Sequence, residues 1–575
     1  RLVCYYDVDR ERNLLATSQK VQQALRTPRP SPIASMTGRS IVKGTEAAEI
    51  AKLAGERRAY WRKIFDQYKI THLIPRLSIS SAQKREYAAF TDLLNSPQGD
   101  WRLVDLGATC AVLYRTDLDN PELKKFIKDR SIDFKEMAYR RGANPMGARD
   151  RWVRSPGFYQ RYLWSERRDI PPAIQQALQF VQMAALPQWT ETLQTLTLPP
   201  EYADSRAALA FLAIRKAQEG LQDDPDSYWG YLVLGEAYSL LSKWDASIAQ
   251  NPSRTPYSGL RYFQAVAAFN QALTASPDNV EAHQQLASLY GQANRIDLEL
   301  RHQEALFDRL NPIEDIDAEQ LLTIETRIRD LTKKRDAAKE QEAKGEDQGR
   351  PPFDRAIELA QKGFVLGALE ILDRVSESRA GNLSAEQLRI FLQLEAGRVE
   401  EAHENGERFA QPAQESRVPN WQEPVAFVNL PNADYPRAQT LWSGKSEEAT
   451  KESLNNLLSS LVPRPAGLNG WPLATTSSTA NWIFERPEVI CESKLNLALI
   501  YLEEGNLASA QRELEQALAA NPETANRNLI AHYLTELRGT DVDIEPYPPS
   551  QTVPGLFATD EEFANRAPIV DDLAD

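Results

Sequence analysis

The chain has 575 residues, 42% of them hydrophobic and 26% charged, and a formal net charge of −14. That length accommodates several domains of ordinary size, and the composition is that of a globular protein. The acidic balance argues against general nucleic-acid binding, which draws its affinity from clustered Lys and Arg.

Residues 1–117 read as a small α/β domain. The run Leu2 to Val8 is apolar and β-prone, so the sequence starts inside a strand, and upstream sequence is expected to be missing. A helix is predicted over Asn13 to Arg26, then a loop at Thr27 to Pro32, where alternating prolines exclude helix and ladder alike. A charged helix from Glu46 to Tyr68 leads into the strand Ile70 to Ile74, and Trp101 to Arg115 reads as a hairpin turning near Leu106-Gly107.

Residues 118–198 form a connector of different character. Lys124 to Arg168 holds thirteen Lys or Arg against five Asp or Glu, interleaved with aromatics such as Phe126, Trp152 and Tyr162. This belt is expected either to face solvent and acidic helices or to lie against anionic lipid head groups or RNA.

Helical repeats are predicted over 199–312 and again over 351–540. Tyr231, Leu234-Gly235, Tyr238, Ala265, Phe269 and Pro277 stand in fixed order, and Leu497-Ala498, Tyr501, Gly505, Ala510, Leu514, Ala517 and Pro522 form a second copy. Small residues let the paired helices approach, large ones fill the gaps between neighbours, and the Pro ends the second helix. In the first copy Tyr238 and Ala265 are too far apart for the spacing. About 18 residues around Lys243 to Leu260 are therefore read as an inserted loop.

Between the repeat blocks, 313–350 is expected to be a long charged helix or a coiled-coil hairpin, with apolar Leu321, Ile324, Ile328 and Leu331 at helical spacing. Further hairpins are read at Ala356 to Val375, turning at Gly363, and at Leu388 to Phe409, turning at Gly397. Residues 411–485 read as an irregular excursion containing at least one helix, Lys445 to Leu461. Ile530 to Leu537 would cap the last repeat, and 541–575 is an acidic tail.

The repeat pattern resembles that of tetratricopeptide (TPR) proteins, whose helix pairs stack through their apolar faces and leave a groove for a partner. More weakly, the first domain resembles the extracytoplasmic C-terminal domain of bacterial polytopic membrane proteins related to dolichyl-phosphate-mannose-type glycosyltransferases. The matching residues are Asp7 to Arg10, Tyr68 to Ile74 and Trp101 to Arg115. That resemblance implies a membrane-anchored parent whose catalytic loops lie outside this chain. The fold class expected is α+β, a small α/β domain followed by a mainly helical TPR-type solenoid.

No catalytic motif appears. Cys4, Cys110 and Cys491 form no CxxC pair, and His72, His283, His302, His403 and His532 show no metal-ligand spacing. His72 reads as a core strand residue, His283 as packing, and Asp7 and Asp9 as strand-end caps. Neither a cofactor nor a metal is expected, and no enzyme. The expected function is a protein-interaction scaffold on the extracytoplasmic side of a membrane, with a protein or peptide in the groove. The alternatives are a homo-oligomeric envelope subunit and an accessory domain of an upstream membrane-embedded glycosyltransferase. Five residues lie on first helices away from the packing positions and are the candidate binding residues: Trp229, Glu236, Gln284, Ser288 and Gln292.

Overall fold

The structure of the protein, a computed structural model, describes chiefly residues 61–75, 100–140, 170–185, 204–249, 259–311, 318–378, 383–415, 422–429 and 487–540, apart from single gaps. Asp7, Asp9, the Asn13 to Arg26 helix, most of the basic belt, the Lys445 to Leu461 helix and nearly all of the acidic tail lie outside them. The chain divides into two compact units. One comprises Arg1–Met137, Gln175–Leu212 and Phe557–Asp575, and the other Ala138–Ile174 and Ala213–Leu556.

In the first unit, β1 (His72–Leu73), β2 (Trp101–Leu106) and β3 (Ala111–Arg115) form an antiparallel sheet in the order β1-β3-β2. The hairpin turns at Gly107, as the sequence suggests, and Gly107 N donates to Cys110 O at 2.8 Å. Trp101 and Leu103 point inward by simple alternation. A bulge between Leu103 and Asp105 shifts the parity, so that Leu106 also turns to the buried side. Phe65 meets the edge of Trp101 at 5.3 Å, and buried Arg115 is held by Asp66 at 2.8 Å and Asp117 at 2.7 Å. Helix α1 (Pro121–Arg130) starts where Asn120 caps it, accepting from the N–H groups of Glu122 and Leu123. His72 is exposed and stacks on Tyr114. It is not the core residue its strand context suggests, because β1 ends after two residues and its outward face stays open.

After α2 (Phe134–Tyr139), α3 (Pro172–Ala185) and α4 (Arg206–Asp223), the second unit is built from helical hairpins. In order they are α5 (Tyr228–Ala249), α6 (Gly259–Ala275), α7 (Val280–Gln292), α8 (Ile296–Leu310), α9 (Ala318–Asp347), α10 (Pro352–Gln361), α11 (Val365–Ser378), α12 (Leu383–Glu395), α13 (Val399–Glu415), α14 (Gln422–Asn429), α15 (Pro487–Glu504), α16 (Leu507–Ala520) and α17 (Arg527–Arg538). The α+β class holds, with strands only in the first unit among the described residues. The charged segment after residue 317 is a single helix, α9. Of the residues read as an inserted loop, Lys243 to Ala249 continue α5 and Gly259 and Leu260 open α6, while 250–258 lie outside the described residues. Of the stretch read as irregular, 411–415 completes α13 and α14 buries Val425 and Phe427.

The repeat positions explain themselves in contact. A Cβ added at Gly235 would lie 2.5 Å from the Phe269 ring, so this position has to be small for α5 and α6 to meet. Ala265, Ala272, Ala510 and Ala517 are wholly buried, as are Tyr238 and Leu514, whereas Tyr501 is half-buried. Gly363 has φ +89°, and its turn meets that of Asn294, with Ile296 N donating to Gly363 O at 2.8 Å.

One feature departs from simple stacking of neighbours. Helix α6 is buried without a break from Leu260 to Phe269, which requires helices on every side. It packs against α5, α7 and α12, and Arg261 reaches Glu503 of α15. Distant hairpins therefore converge on α6.

Candidate functional site

Two first helices, α5 and α7, carry all five candidate residues. Trp229 and Glu236 are seven positions apart and so share a face of α5, while Gln284, Ser288 and Gln292 recur every four positions along α7. Trp229, Glu236, Gln284 and Ser288 are half-buried and Gln292 is exposed. The structure joins four of these residues to a neighbour. The Trp229 ring lies 5.1 Å from that of Tyr228 at 32°, Glu236 feels the charge of Glu281 on α7, and Gln292 Nε2 donates to Ser288 Oγ at 3.1 Å.

The two carboxylates set the electrostatics of this face. Burial first, and then the neighbouring Glu281 charge, push Glu236 up to about 8. Burial also raises Glu281 itself. Tyr228 is raised by burial and then by the charge of Glu281. The α5–α7 face thus holds two carboxyl groups that resist ionising together, with an aromatic pair beside them. It can accept a cation, which would relieve the repulsion and draw off the proton held at Glu236.

Sequence reasoning missed Tyr228 and Glu281. Both were within reach of it, Tyr228 as the neighbour of Trp229, and Glu281 as the residue three before Gln284 and seven before Ser288 on the same stripe.

His283, read as packing, does pack between helices, and its Nδ1 lies 2.9 Å from Nδ1 of buried His302 on α8. Burial lowers both imidazoles, with Arg301 adding to the effect on His302. Among the described residues, no three His, Cys, Asp or Glu converge as a metal site, and no helix is long and apolar enough to cross a membrane.

No family model matches the chain, and no curated protein matches it in sequence. Among solved structures, the chain is similar to a tetratricopeptide repeat protein from Parabacteroides merdae, with 12% identity, a TM-score of 0.22 and coverage of 59% of this chain and 95% of that one. It is likewise similar to the TPR domain of P58(IPK), with 13% identity, a TM-score of 0.20 and coverage of 63% and 98%. Scores that low leave the description of this fold to its own helices and contacts.

Proposed function

We propose that the second unit is a non-catalytic protein-interaction scaffold whose α5–α7 face binds a positively charged peptide segment of a partner. The observation that carries this reading is the placement of Glu236 beside Glu281 next to the Tyr228–Trp229 pair. Carboxylates on an interaction face that already repel each other gain most when a Lys or Arg arrives, and aromatic faces add cation–π attraction. Gln284, Ser288 and Gln292 extend the face with neutral hydrogen-bonding groups suited to a peptide backbone. Calorimetric titration of the full chain with an Arg-rich twelve-residue peptide tests the reading. Binding should weaken about tenfold in the Glu236→Gln, Glu281→Gln double variant, the scale of two partly exposed charge contacts. Equal binding by that variant contradicts the site.

The placement of this scaffold outside the cytoplasm on a membrane-anchored parent is part of the same proposal. It is supported by the strands found at Trp101–Leu106 and Ala111–Arg115, where the first domain resembles extracytoplasmic domains. Recovery of the full-length protein in the soluble cytoplasmic fraction overturns that part alone.

A further inference from the structure

Four groups meet where α7 lies on α8, and the bonds between them run in one direction. Arg301 of α8 reaches His302 Nε2 at 3.3 Å, His302 Nδ1 lies 2.9 Å from His283 Nδ1, and His283 Nε2 lies 3.2 Å from the Pro277 carbonyl. A guanidinium only donates, so His302 Nε2 accepts and that ring carries its proton on Nδ1. A carbonyl only accepts, so His283 carries its proton on Nε2 and takes the His302 proton at Nδ1. Both rings are neutral, and the lone pair of each already holds a donor.

Such a chain has no place for one more proton. At His302 Nε2 it would meet Arg301, and at His283 Nδ1 it would meet the proton of His302. Both rings are buried, which alone disfavours a charge. Arg301 and Arg309 of α8 oppose it further, and Asp278, which favours it, is already paired with Arg309. Towards α12, Tyr290 stacks on His302 at 5.6 Å and gives its hydroxyl proton to the Glu395 main-chain carbonyl, while Arg295 holds the Glu395 carboxylate.

The same chain reaches the binding face. Asn279 caps α7 by accepting from Ala282 N at 2.7 Å, and the His283 bond to Pro277 ties down the same first turn. Glu281 stands in that turn, two residues before His283. We propose that the His283–His302 bond is an acid-sensitive latch that seats α7 on α8 and so controls whether the α5–α7 face holds its partner. The inference rests on the reading of that face as the binding site. At neutral pH the latch is closed and Glu281 stays beside Glu236. On acidification a proton from solvent enters one imidazole, the Nδ1–Nδ1 bond is lost, the first turn of α7 leaves α8, and the two carboxyl groups part.

Two readouts on the full chain keep the latch and the binding site apart. Hydrogen exchange at pH 7.5 and 5.5, corrected for the intrinsic pH dependence of amide exchange, reports the opening of α7. A freed imidazole is about 90% protonated one unit below its ordinary value, so protection in α7 should fall about tenfold or more, while α15–α17 keep theirs. The double variant His283→Gln, His302→Phe has no imidazole at the latch and should show no such fall. His283→Gln alone, whose amide still donates to Pro277, should lose most of it and serves if the double variant does not fold. Equal protection of wild-type α7 at the two pH values, or an equal fall in the variants, overturns the latch.

The Arg-rich twelve-residue peptide, titrated at the same two pH values, reports the consequence. Glu236 and Glu281 are present in every protein compared, so their own titration cancels in the ratio of affinities. Wild-type affinity relative to the latch variant should fall about threefold or more between pH 7.5 and 5.5, as the competent fraction shrinks. A constant ratio while α7 loses protection overturns the control of the face. Absence of peptide binding by wild type at pH 7.5 overturns the site itself, a failure that the exchange data tell apart from failure of the latch.

Discussion

Arg261 and Glu503 form an ion pair inside the second unit, with both side chains almost entirely shielded from water. The carboxylate also accepts from Gln264 Nε2 at 3.0 Å and from the Tyr238 hydroxyl at 3.2 Å. The next residue on α6, Tyr262, donates at 2.6 Å to Glu395 Oε1, and the same oxygen accepts from Arg295 Nε at 2.6 Å. Glu395 and Glu503 hold the same place in two hairpins, two residues before Gly397 and Gly505. Helix α6 thus presents two consecutive residues to matching buried carboxylates from two different parts of the chain.

Removing either carboxylate takes the close counter-ion from a buried cation. Glu503→Ala leaves Arg261 only the more distant Asp245 at 3.8 Å, and Glu395→Ala takes the carboxylate from Arg295; each should cost about 3–5 kcal/mol, the usual penalty for breaking a buried pair from one side. Because both converge on α6, each should shift a common unfolding transition of the second unit in urea. Loss confined to the α15–α17 end in Glu503→Ala, read by hydrogen exchange, would contradict the convergence.

Gly235 sets how closely α5 and α6 approach. Gly235→Val forces two methyl groups and a Cβ into the Phe269 ring, so the helices must separate, at about 1–3 kcal/mol or more for an overpacked contact. The paired variant Gly235→Ala, Phe269→Leu should recover much of that loss, because the shorter side chain makes room. No recovery in chemical denaturation would mean the loss does not come from this contact.

The His283–His302 pair makes the second unit acid-sensitive. One Nδ1 must carry a proton and the other accept it. A second proton would break the bond and place a charge near Arg301 and Arg309, with Asp278 giving only partial relief. Both folded values lie below the unfolded one, so below about pH 6.5 the unfolded chain binds more protons. The histidines' own contribution should be flat above that pH and fall as pH drops, by at most about 1.4 kcal/mol per pH unit for each. Buried Glu236 and Asp297, raised to about 8 and about 6, act with the opposite sign in the same range, so the difference between wild type and His302→Phe isolates the pair. Urea denaturation between pH 7.5 and 5.5 should show the wild type losing stability relative to His302→Phe as pH falls, and parallel curves for the two proteins would overturn the assignment.

The hairpins were legible in the sequence because their signals are local. Gly363, Gly397 and Gly505 mark turns with positive φ, and Asn279 and Asn506 cap the helices that follow. The charged stretch after residue 317 was legible as helix from its apolar spacing alone. What escaped was the convergence on α6, since no short-range period links Arg261 to Glu503 or Tyr262 to Glu395. A charged residue between Leu260 and Tyr262 was the one hint that α6 meets a buried carboxylate. The extent of α5 escaped for the opposite reason. A repeat spacing taken from the motif was allowed to outweigh helix-compatible residues as far as Ala249. At the α5–α7 face, Trp229 and Glu236 read as positions clear of the packing yet are half-buried, and the pairing of Glu236 with Glu281 depends on how two helices lie side by side.

The claim that the α5–α7 face receives a cation is tested most directly by the proton it should release. Glu236, held at about 8, is largely protonated at pH 7, and a Lys or Arg arriving beside it lowers that value. Calorimetry at pH 7 with the Arg-rich peptide, in two buffers of different ionisation enthalpy, counts protons per complex. The full chain should release a large fraction of one proton and Glu236→Gln none. Binding with no proton released by the wild-type chain, or with equal release by both, would contradict it.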